Sequence, residues 1–178
     1  IYIHIPFCKK ACSYCNFHFS TSLILYREMI SAIKKEIFLR SKNYNDEIET
    51  IYLGGGTPSL LKIKDIDDII LTIENNYNLT NNIEITIEAN PDDFSKDKLK
   101  SLSKTKINRI SLGVQTLNDD ALKLMKRVHS SKQSIESIEN SLLFFKNISI
   151  DLIYGIPNFY TNSLDQDLRL SQYYDIKH

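Results

Sequence analysis

The sequence lacks the features that direct a protein to membranes, to nucleic acid or to secretion. Its 22 lysines and arginines equal its 22 aspartates and glutamates, so the formal net charge of +0 provides no overall basic field for nucleic acid or anionic lipid. No apolar run approaches the roughly 18 residues that span a bilayer, and no signal-peptide pattern opens the chain. We therefore expect a cytoplasmic protein with no integral membrane segment and no nucleic-acid partner.

Cysteine is scarce and confined to one segment, which we call the cysteine loop (residues 8–15). Cys8, Cys12 and Cys15 are the only three cysteines, and an odd number of thiols in so short a window cannot staple a secreted fold. Clustered thiols in a reducing compartment usually bind a metal or act in redox chemistry. A tetrahedral zinc or an iron-sulfur cluster takes four ligands, so three thiolates leave one metal position open. The spacing C-x3-C-x2-C predicts a [4Fe-4S] cluster held through three of its irons.

Two other interpretations of the cysteine loop stay open. A Cys3His zinc site would take His4 or His18 as its fourth ligand, and His18 lies close to the loop in the sequence. A reactive pair of thiols in the C-x2-C segment is favoured less, because the thioredoxin-like pattern that accompanies such a pair is missing.

Short β-rich runs alternate with longer helical stretches, which is typical of parallel strands joined by crossover helices. The five predicted strands occupy residues 1–6, 49–53, 83–88, 109–114 and 148–153. Apolar residues recur at helical spacing between these runs, and polar residues that can cap helices precede several of them. The candidate caps are Ser20, Thr21, Ser22, Ser95, Asn118 and Ser131. No internal repeat or low-complexity linker divides the chain, so we predict one α/β domain.

The predicted strands alternate between apolar and polar residues. Strands covered by helices on both faces should be apolar throughout. The polar residues in these strands therefore indicate that one face of the sheet contacts water or binds a ligand. A β/α barrel or partial barrel explains this better than a flat doubly wound sheet, because its polar residues point into the lumen. The polar set comprises Tyr2, His4, Glu84, Thr86, Glu88, Ser111, Gly113, Gln115, Ser149 and Asp151.

Further motifs lie where the predicted strands end. Residues 54–58 (GGGTP) let a ligand approach the backbone closely, although a purely structural turn explains them equally well, and no Lys-Ser or Lys-Thr follows to make a P-loop. Residues 88–91 (EANP), Gln115 and Asp151 lie at the C-terminal ends of strands, where such folds place their ligand sites. Arg127 would most often be a solvated cation at a helix end.

Taken in order, these motifs resemble a known family. The cysteine loop after YIHIPF, with Tyr14 before the third cysteine, and the motifs GGGTP, EANP, GVQ and DLIYGIP resemble radical S-adenosylmethionine (SAM) proteins of the oxygen-independent coproporphyrinogen III oxidase group. The resemblance covers nearly the whole chain and implies a (β/α)6 barrel. It implies that a [4Fe-4S] cluster is held by Cys8, Cys12 and Cys15. It implies that SAM is bound by Tyr2, Tyr14, Gly55, Gly56, Thr57, Glu88, Gln115, Arg127 and Asp151.

Phe17 distinguishes two branches of this family. The oxidases read C-x3-C-x2-C-x-C, whereas Phe17 stands here in place of the fourth cysteine. The pattern resembles the haem-chaperone branch, whose members bind haem and hand it to acceptor proteins. The resemblance therefore implies three partners, which are haem, a haem-acceptor protein and an electron donor for the cluster. Oxidative decarboxylation of coproporphyrinogen III is the alternative function.

The family architecture has a sixth strand and a C-terminal domain. We therefore expect residues 1–178 to be a radical SAM core domain truncated before its sixth strand, with an unpaired strand edge that makes it prone to aggregation. The haem ligand stays open, since His4, His18, His129 and His178 are candidates by residue type alone.

Overall fold

Five parallel strands form the centre of the structure, a computed structural model that describes residues 1–158, 162–176 and 178. The strands are Tyr2–Ile5 (β1), Ile48–Gly55 (β2), Leu79–Ala89 (β3), Arg109–Gln115 (β4) and Asn147–Leu152 (β5). They lie in the order β1-β2-β3-β4-β5, and all neighbours pair in parallel. Because spatial order follows chain order, every crossover advances in one direction, as in a β/α barrel. A doubly wound sheet would reverse its order.

Helices and short turns connect these strands. Within the described residues the α-helices are Tyr26–Ser41 (α1), Ile63–Glu74 (α2), Lys96–Leu102 (α3), Asp119–Leu124 (α4), Ser131–Leu142 (α5) and Asn162–Tyr173 (α6). Single 3-10 turns, Pro58–Leu60 and Pro91–Asp93, follow β2 and β3. The predicted partial barrel of parallel strands is therefore confirmed, with strand boundaries that differ from the predicted ones by a few residues. No helix in the described part of the chain combines the length and apolar character needed to cross a bilayer.

The two faces of the sheet differ as the alternation predicts. One face is apolar, and strand residues such as Ile85 and Ile110 pack in the core with Ile69 and Ile73 of α2. Burying each such side chain stabilises the fold by about 1.5–3 kcal/mol. The other face is polar, and there Arg109 of β4 donates hydrogen bonds to side chains of the neighbouring strands β3 and β5. The lumen-facing polar set predicted from the sequence is confirmed on that face.

Three helix starts test the predicted caps. The Ser95 and Asn118 side chains accept hydrogen bonds from backbone N–H groups in the first turns of α3 and α4, which confirms both predictions. At α5 the cap is Ser130 and not the predicted Ser131. Ser130 and Gln133 form a reciprocal capping box, which satisfies two backbone donors at once and so favours this register.

The predicted caps of α1 are wrong. Leu25 precedes the first helical residue and offers no side-chain hydrogen bond. Ser20 instead pairs with Phe7 in an isolated parallel bridge, and its hydroxyl donates to the carbonyl of Ser22. The segment predicted as a helix start therefore closes the loop that carries the cysteines.

The outer edge of β5 is also used for pairing. The backbone N–H of Ile150 donates to the carbonyl of His178 at 2.9 Å, on the side of β5 away from β4. In parallel strands this is the edge at which a further strand of a barrel would pair.

Candidate functional site

One cavity of about 690 Å³, which we call the strand-end cavity, lies where the C-terminal ends of the strands meet the cysteine loop. Because parallel strands end at the same edge, residues far apart in the sequence converge there. Eleven of the twelve predicted site residues line it. They are Cys8, Cys12, Tyr14, Cys15, Gly55, Gly56, Thr57, Glu88, Gln115, Arg127 and Asp151.

Tyr2 is the predicted site residue that does not line the strand-end cavity. It lies on the polar face of β1, is 58% exposed and stacks on Tyr52 with ring centroids 6.0 Å apart. Its hydroxyl lies 3.3 Å from Nδ1 of His4, whose Nε2 lies 2.9 Å from the carbonyl of His18. Both ring nitrogens of His4 are therefore engaged away from the thiols. The role of Tyr2 at a cofactor stays a prediction.

Polar contacts with three other segments hold the cysteine loop. The N–H of Cys8 donates to the Ser20 carbonyl at 3.0 Å. Ser13 donates from its N–H and its hydroxyl to the last carbonyls of α4. Lys9 forms ion pairs with Asp92 and Asp93 in the turn after β3. The three thiols are free and half-buried, and no three His, Cys, Asp or Glu side chains of the described residues converge as they would on a single metal ion.

The glycines of the GGGTP turn allow the cysteine loop to approach β2. A Cβ atom on Gly56 would lie 2.8 Å from the Phe7 carbonyl oxygen and 3.0 Å from Sγ of Cys8. Gly55 has a φ of +113°, and a Cβ there would lie 2.6 Å from the ring of His4. Side chains are therefore excluded at both positions. The GGGTP turn therefore allows close packing of the cysteine loop against β2, and it also lines the strand-end cavity.

Glu88 lies in the wall of the strand-end cavity at the end of β3. The hydroxyl of Tyr52 donates to one of its carboxylate oxygens at 2.8 Å, and the N–H of Gly55 donates to the other at 2.9 Å. Burial raises the pKa of Glu88, and these two hydrogen bonds oppose that shift. Burial and the neighbouring carboxylate together raise the pKa of Tyr52, which therefore remains a hydrogen-bond donor at neutral pH.

The ends of β4 and β5 supply two more polar residues. The register of β4 shifts after Leu112, and Gln115 adopts a φ of 69°, so the strand bends at the cavity. The Gln115 carbonyl accepts a hydrogen bond from the N–H of Ile153 at 2.8 Å. Asp151 accepts one from the hydroxyl of Ser111 at 3.1 Å. These contacts fix the backbone at Gln115 and the carboxylate of Asp151 where the adjacent strands β4 and β5 end.

The end of α4 determines where Arg127 points. Lys126 adopts a φ of 58°, which is uncommon for a residue other than glycine. The N–H of Arg127 donates to the Leu122 carbonyl and that of Lys126 to the Lys123 carbonyl, which is the Schellman arrangement. The chain therefore reverses direction at this point and returns Arg127 to the sheet.

Arg127 is consequently part of the cavity wall, and its interpretation as a solvated helix-end cation is wrong. Its guanidinium donates to Asn90 Oδ1 at 2.6 Å, to the Gly113 carbonyl at 2.9 Å and to the Tyr14 hydroxyl at 3.2 Å. It also lies 3.6 Å from Sγ of Cys12. Burial raises the pKa of Tyr14 to about 12, although Arg127 opposes that shift. Nε of Arg127 is buried without a hydrogen-bond partner among the described residues.

The structure adds residues that the sequence analysis did not assign to the site. Asn90 lies within the EANP motif, but only its contacts with Thr57 and Arg127 reveal its position between them. The cavity lining also includes Phe17, which is 70% exposed. Lys9 and its two aspartates carry no motif, so no sequence signal identifies them as an anchor of the cysteine loop.

The side chains around the strand-end cavity fit the cofactors that the resemblance implies. Three free thiols offer sulfur ligands for a cluster. The unpartnered Nε of Arg127 offers a donor for an anionic group, and Glu88 and Asp151 offer acceptors for cationic or hydroxyl groups. This combination of donors and acceptors matches a sulfur-bound cluster with an amino acid group and a ribose beside it.

The fold and the site thus define a β/α barrel protein with a three-thiol loop over a polar cavity. The family profile described as "Radical SAM superfamily" matches residues 2–170, and the chain belongs to this superfamily.

Individual relatives agree with the predicted branch. "Heme chaperone HemW" of Buchnera aphidicola subsp. Schizaphis graminum is 37% identical over 181 residues, which cover 100% of this chain and 48% of that protein. The Bacillus subtilis protein of the same name is 36% identical over 182 residues, which cover 99% of this chain and 48% of that protein. The chain therefore spans about half the length of the curated relatives it matches.

A solved structure is similar over almost the whole chain. Escherichia coli coproporphyrinogen III oxidase (HemN), described as a radical SAM enzyme, superposes with a TM-score of 0.87 at 27% identity. The match covers 98% of this chain and 41% of that one. Together with the sequence relatives, this similarity confirms the resemblance to the oxidase-like group and to its haem-chaperone branch.

Proposed function

We propose that this chain is the core of a radical SAM haem chaperone, which binds a [4Fe-4S] cluster, SAM and haem and transfers haem to an acceptor protein. One observation supports the proposal that the chain binds a cluster and SAM. The three thiols and eight of the nine residues assigned to SAM line a single cavity. The similarity to proteins named "Heme chaperone HemW" supports the haem part.

Each group in the strand-end cavity has a role in this proposal. Cys8, Cys12 and Cys15 would hold three irons of the cluster, which would supply an electron and an open coordination position. Arg127 provides a donor for the carboxylate of SAM through its unpartnered Nε, and Glu88 provides an acceptor for the ammonium group. Gly55, Gly56 and Thr57, which line the cavity beside Glu88, would meet the same ammonium group. Tyr14, which is hydrogen-bonded to Arg127 beside Cys12, would flank SAM near the cluster. Gln115 and Asp151 would complete the site around the methionyl and ribose parts.

The cluster is tested by anaerobic reconstitution of the full-length protein. We expect about four irons and four sulfides per chain, and an electron paramagnetic resonance (EPR) signal of the reduced protein that shifts when SAM is added. Cys12→Ala should abolish the signal, whereas the control Thr21→Ala, at an exposed position, should preserve it. A colourless protein with zinc in place of iron would overturn the proposal in favour of the Cys3His site.

One assay distinguishes the haem-chaperone function from oxidase activity. Phe17 and the named relatives favour the chaperone, whereas the similarity to the E. coli oxidase favours decarboxylation of coproporphyrinogen III. We expect the full-length protein, loaded with its cluster and supplied with SAM and a reductant, to bind haem and leave coproporphyrinogen III unchanged. Formation of a vinyl-bearing porphyrinogen would instead favour the oxidase function over the chaperone function.

The remaining parts of the proposal concern the location of the protein, its partners and its domain assignment. A cytoplasmic location is supported by three free thiols, which a reducing compartment preserves. The cluster requires an electron donor, and the haem requires an acceptor protein. We assign residues 1–178 to the radical SAM core domain.

Among the candidate haem ligands His129 is the least accessible, because it is buried and its Nε2 lies 3.1 Å from the Val114 carbonyl.

A further inference from the structure

A chain of hydrogen bonds connects two of the three cysteines through Asn90. Nδ2 of Asn90 donates to Oγ1 of Thr57 at 3.2 Å, and that hydroxyl lies 3.5 Å from Sγ of Cys8. On the other side, Oδ1 of Asn90 accepts from Nη2 of Arg127 at 2.6 Å, while Nη1 of Arg127 lies 3.6 Å from Sγ of Cys12. Among the residues that the structure describes, Asn90 alone forms hydrogen bonds with both Thr57 and Arg127, the two groups that lie next to the sulfurs.

The direction of every bond in this chain follows from chemistry. A guanidinium is only a donor, so the Asn90 atom facing Arg127 must be its carbonyl oxygen. The amide nitrogen therefore faces Thr57, and because that nitrogen is only a donor, the Thr57 oxygen must accept from it. The single proton of the Thr57 hydroxyl is then available to the Cys8 sulfur. Asn90 orients both neighbours so that each presents a donor to a sulfur atom.

We propose that Asn90 is a positioning residue that directs donors from Thr57 and Arg127 onto the sulfurs of Cys8 and Cys12 and thereby raises the reduction potential of the bound cluster. This inference rests on the proposed function, since it requires that these thiols hold a cluster. Hydrogen bonds to cluster sulfurs are one of the factors that set such potentials. They favour the reduced cluster because it carries more negative charge, and Thr57 is 3% exposed, so little water can replace the bond that it makes.

The experiment is an EPR-monitored redox titration of the full-length protein with its reconstituted cluster. Asn90→Ala and Thr57→Val are measured singly and together, and Asn45→Ala, at an exposed position, is the matched control. We expect Asn90→Ala to lower the ratio of reduced to oxidised cluster about tenfold at a fixed potential, which equals about 59 mV for one electron. Thr57→Val should lower it less, since it leaves Arg127 in place, and Asn45→Ala should leave it unchanged.

The double variant separates positioning from general disruption. If Asn90 acts through Thr57, the effect of Asn90→Ala should be smaller in the Thr57→Val background than in the wild type. Asn90→Leu serves as an uncharged variant of similar size. It makes neither hydrogen bond and adds no charge beside the cluster, so it should lower the potential about as much as Asn90→Ala does. This variant supplies the measurement if Asn90→Ala loses its cluster.

The outcomes distinguish this inference from the proposed function. A wild-type protein that assembles no cluster overturns the proposed function, and this inference with it. A wild-type cluster whose potential is the same in the Asn90 variants overturns only the role of Asn90. Fully additive shifts for Asn90→Ala and Thr57→Val also overturn it, because independent effects would show that Asn90 does not act through the threonine.

Discussion

The sheet and the cysteine loop are held in place by different kinds of interaction. Each strand of the sheet is fixed by a ladder of backbone hydrogen bonds and by an apolar face that packs on helices. The loop instead depends on a few polar contacts made by Cys8, Lys9 and Ser13 to three separate segments. Stability is therefore distributed over many residues in the sheet, whereas the position of the thiols depends on few. Substitutions in the two regions should have different consequences.

The largest effect on stability is expected in the apolar face. Ile69 of α2 is fully buried, so Ile69→Ala should lower the free energy of unfolding by about 2–5 kcal/mol through lost burial and a new cavity. Chemical unfolding followed by circular dichroism measures this change. Leu71→Ala on the same helix is the control, because Leu71 is 54% exposed and should cost far less. Equal losses at the two positions would contradict the assignment of this face.

His129, buried beside β4, should make the stability of the sheet depend on pH. Burial and the nearby Arg127 lower the pKa of His129 from 6.5 to about 4. The unfolded chain therefore binds more protons than the folded chain between these values, so stability falls as the pH falls through this window. The loss should reach about 3 kcal/mol near pH 4. His129→Gln should flatten this part of the unfolding profile, and an unchanged profile would exclude His129 as its cause.

The anchor of the cysteine loop should affect cluster loading more strongly than the apolar core does. Lys9→Met removes the ion pairs to Asp92 and Asp93. The Lys9 side chain is 42% exposed, but that of Asp93 is 1% exposed and, among the described residues, keeps only its hydrogen bond from Ser59, so the free energy of unfolding should fall by about 1–3 kcal/mol. Cluster loading, measured as iron and sulfide per chain, should fall several-fold because the loop loses its ion pairs to the turn after β3. Lys104→Met in an exposed turn is the control. Full loading of Lys9→Met would show that the remaining contacts of the loop suffice.

The smallest expected effect lies at the turn that directs Arg127. Lys126→Gly should raise the free energy of unfolding by up to about 1 kcal/mol, because glycine adopts a φ of 58° without steric cost. Lys123→Gly, within α4, should instead lower it by about 0.5–1 kcal/mol. Shifts of the same sign at both positions would contradict the left-handed conformation of Lys126.

Several parts of the fold could be predicted because their signals are local. The polar and apolar faces follow from the period of two along a strand, and this period is visible in residues such as Glu84, Ile85 and Thr86. The caps Ser95 and Asn118 act on backbone groups within the next three residues. The predicted caps at 20–22 failed because Ser20 pairs with Phe7, an interaction that no local pattern reveals.

The candidate site likewise contains residues that the sequence could predict and residues that only the structure revealed. The spacing of the thiols pointed to the three cysteines, and the convergence of strand ends pointed to Glu88, Gln115 and Asp151. The other five predicted residues that line the strand-end cavity were assigned by the family resemblance, and they are Tyr14, Gly55, Gly56, Thr57 and Arg127. The role of Asn90 was missed, because its importance depends on Arg127, which lies 37 residues further along the chain. Tyr2 has the same parity as Glu88, but the register places it opposite Tyr52 and level with Thr86, two residues before Glu88, so it lies further from the strand ends that form the cavity.

Patterns along the chain thus contain the alternation of strands and helices, the inward polar face and the sulfur chemistry of the cysteine loop. These properties depend on residues a few positions apart, whose geometry is set by the backbone period and by side-chain type. The approach of Arg127 to Cys12 joins residues 115 positions apart, and it arises only after three crossovers and the reversal at Lys126 bring the end of α4 over the loop. Contacts of this kind depend on packing across the whole barrel, and they determine which donors reach the sulfurs.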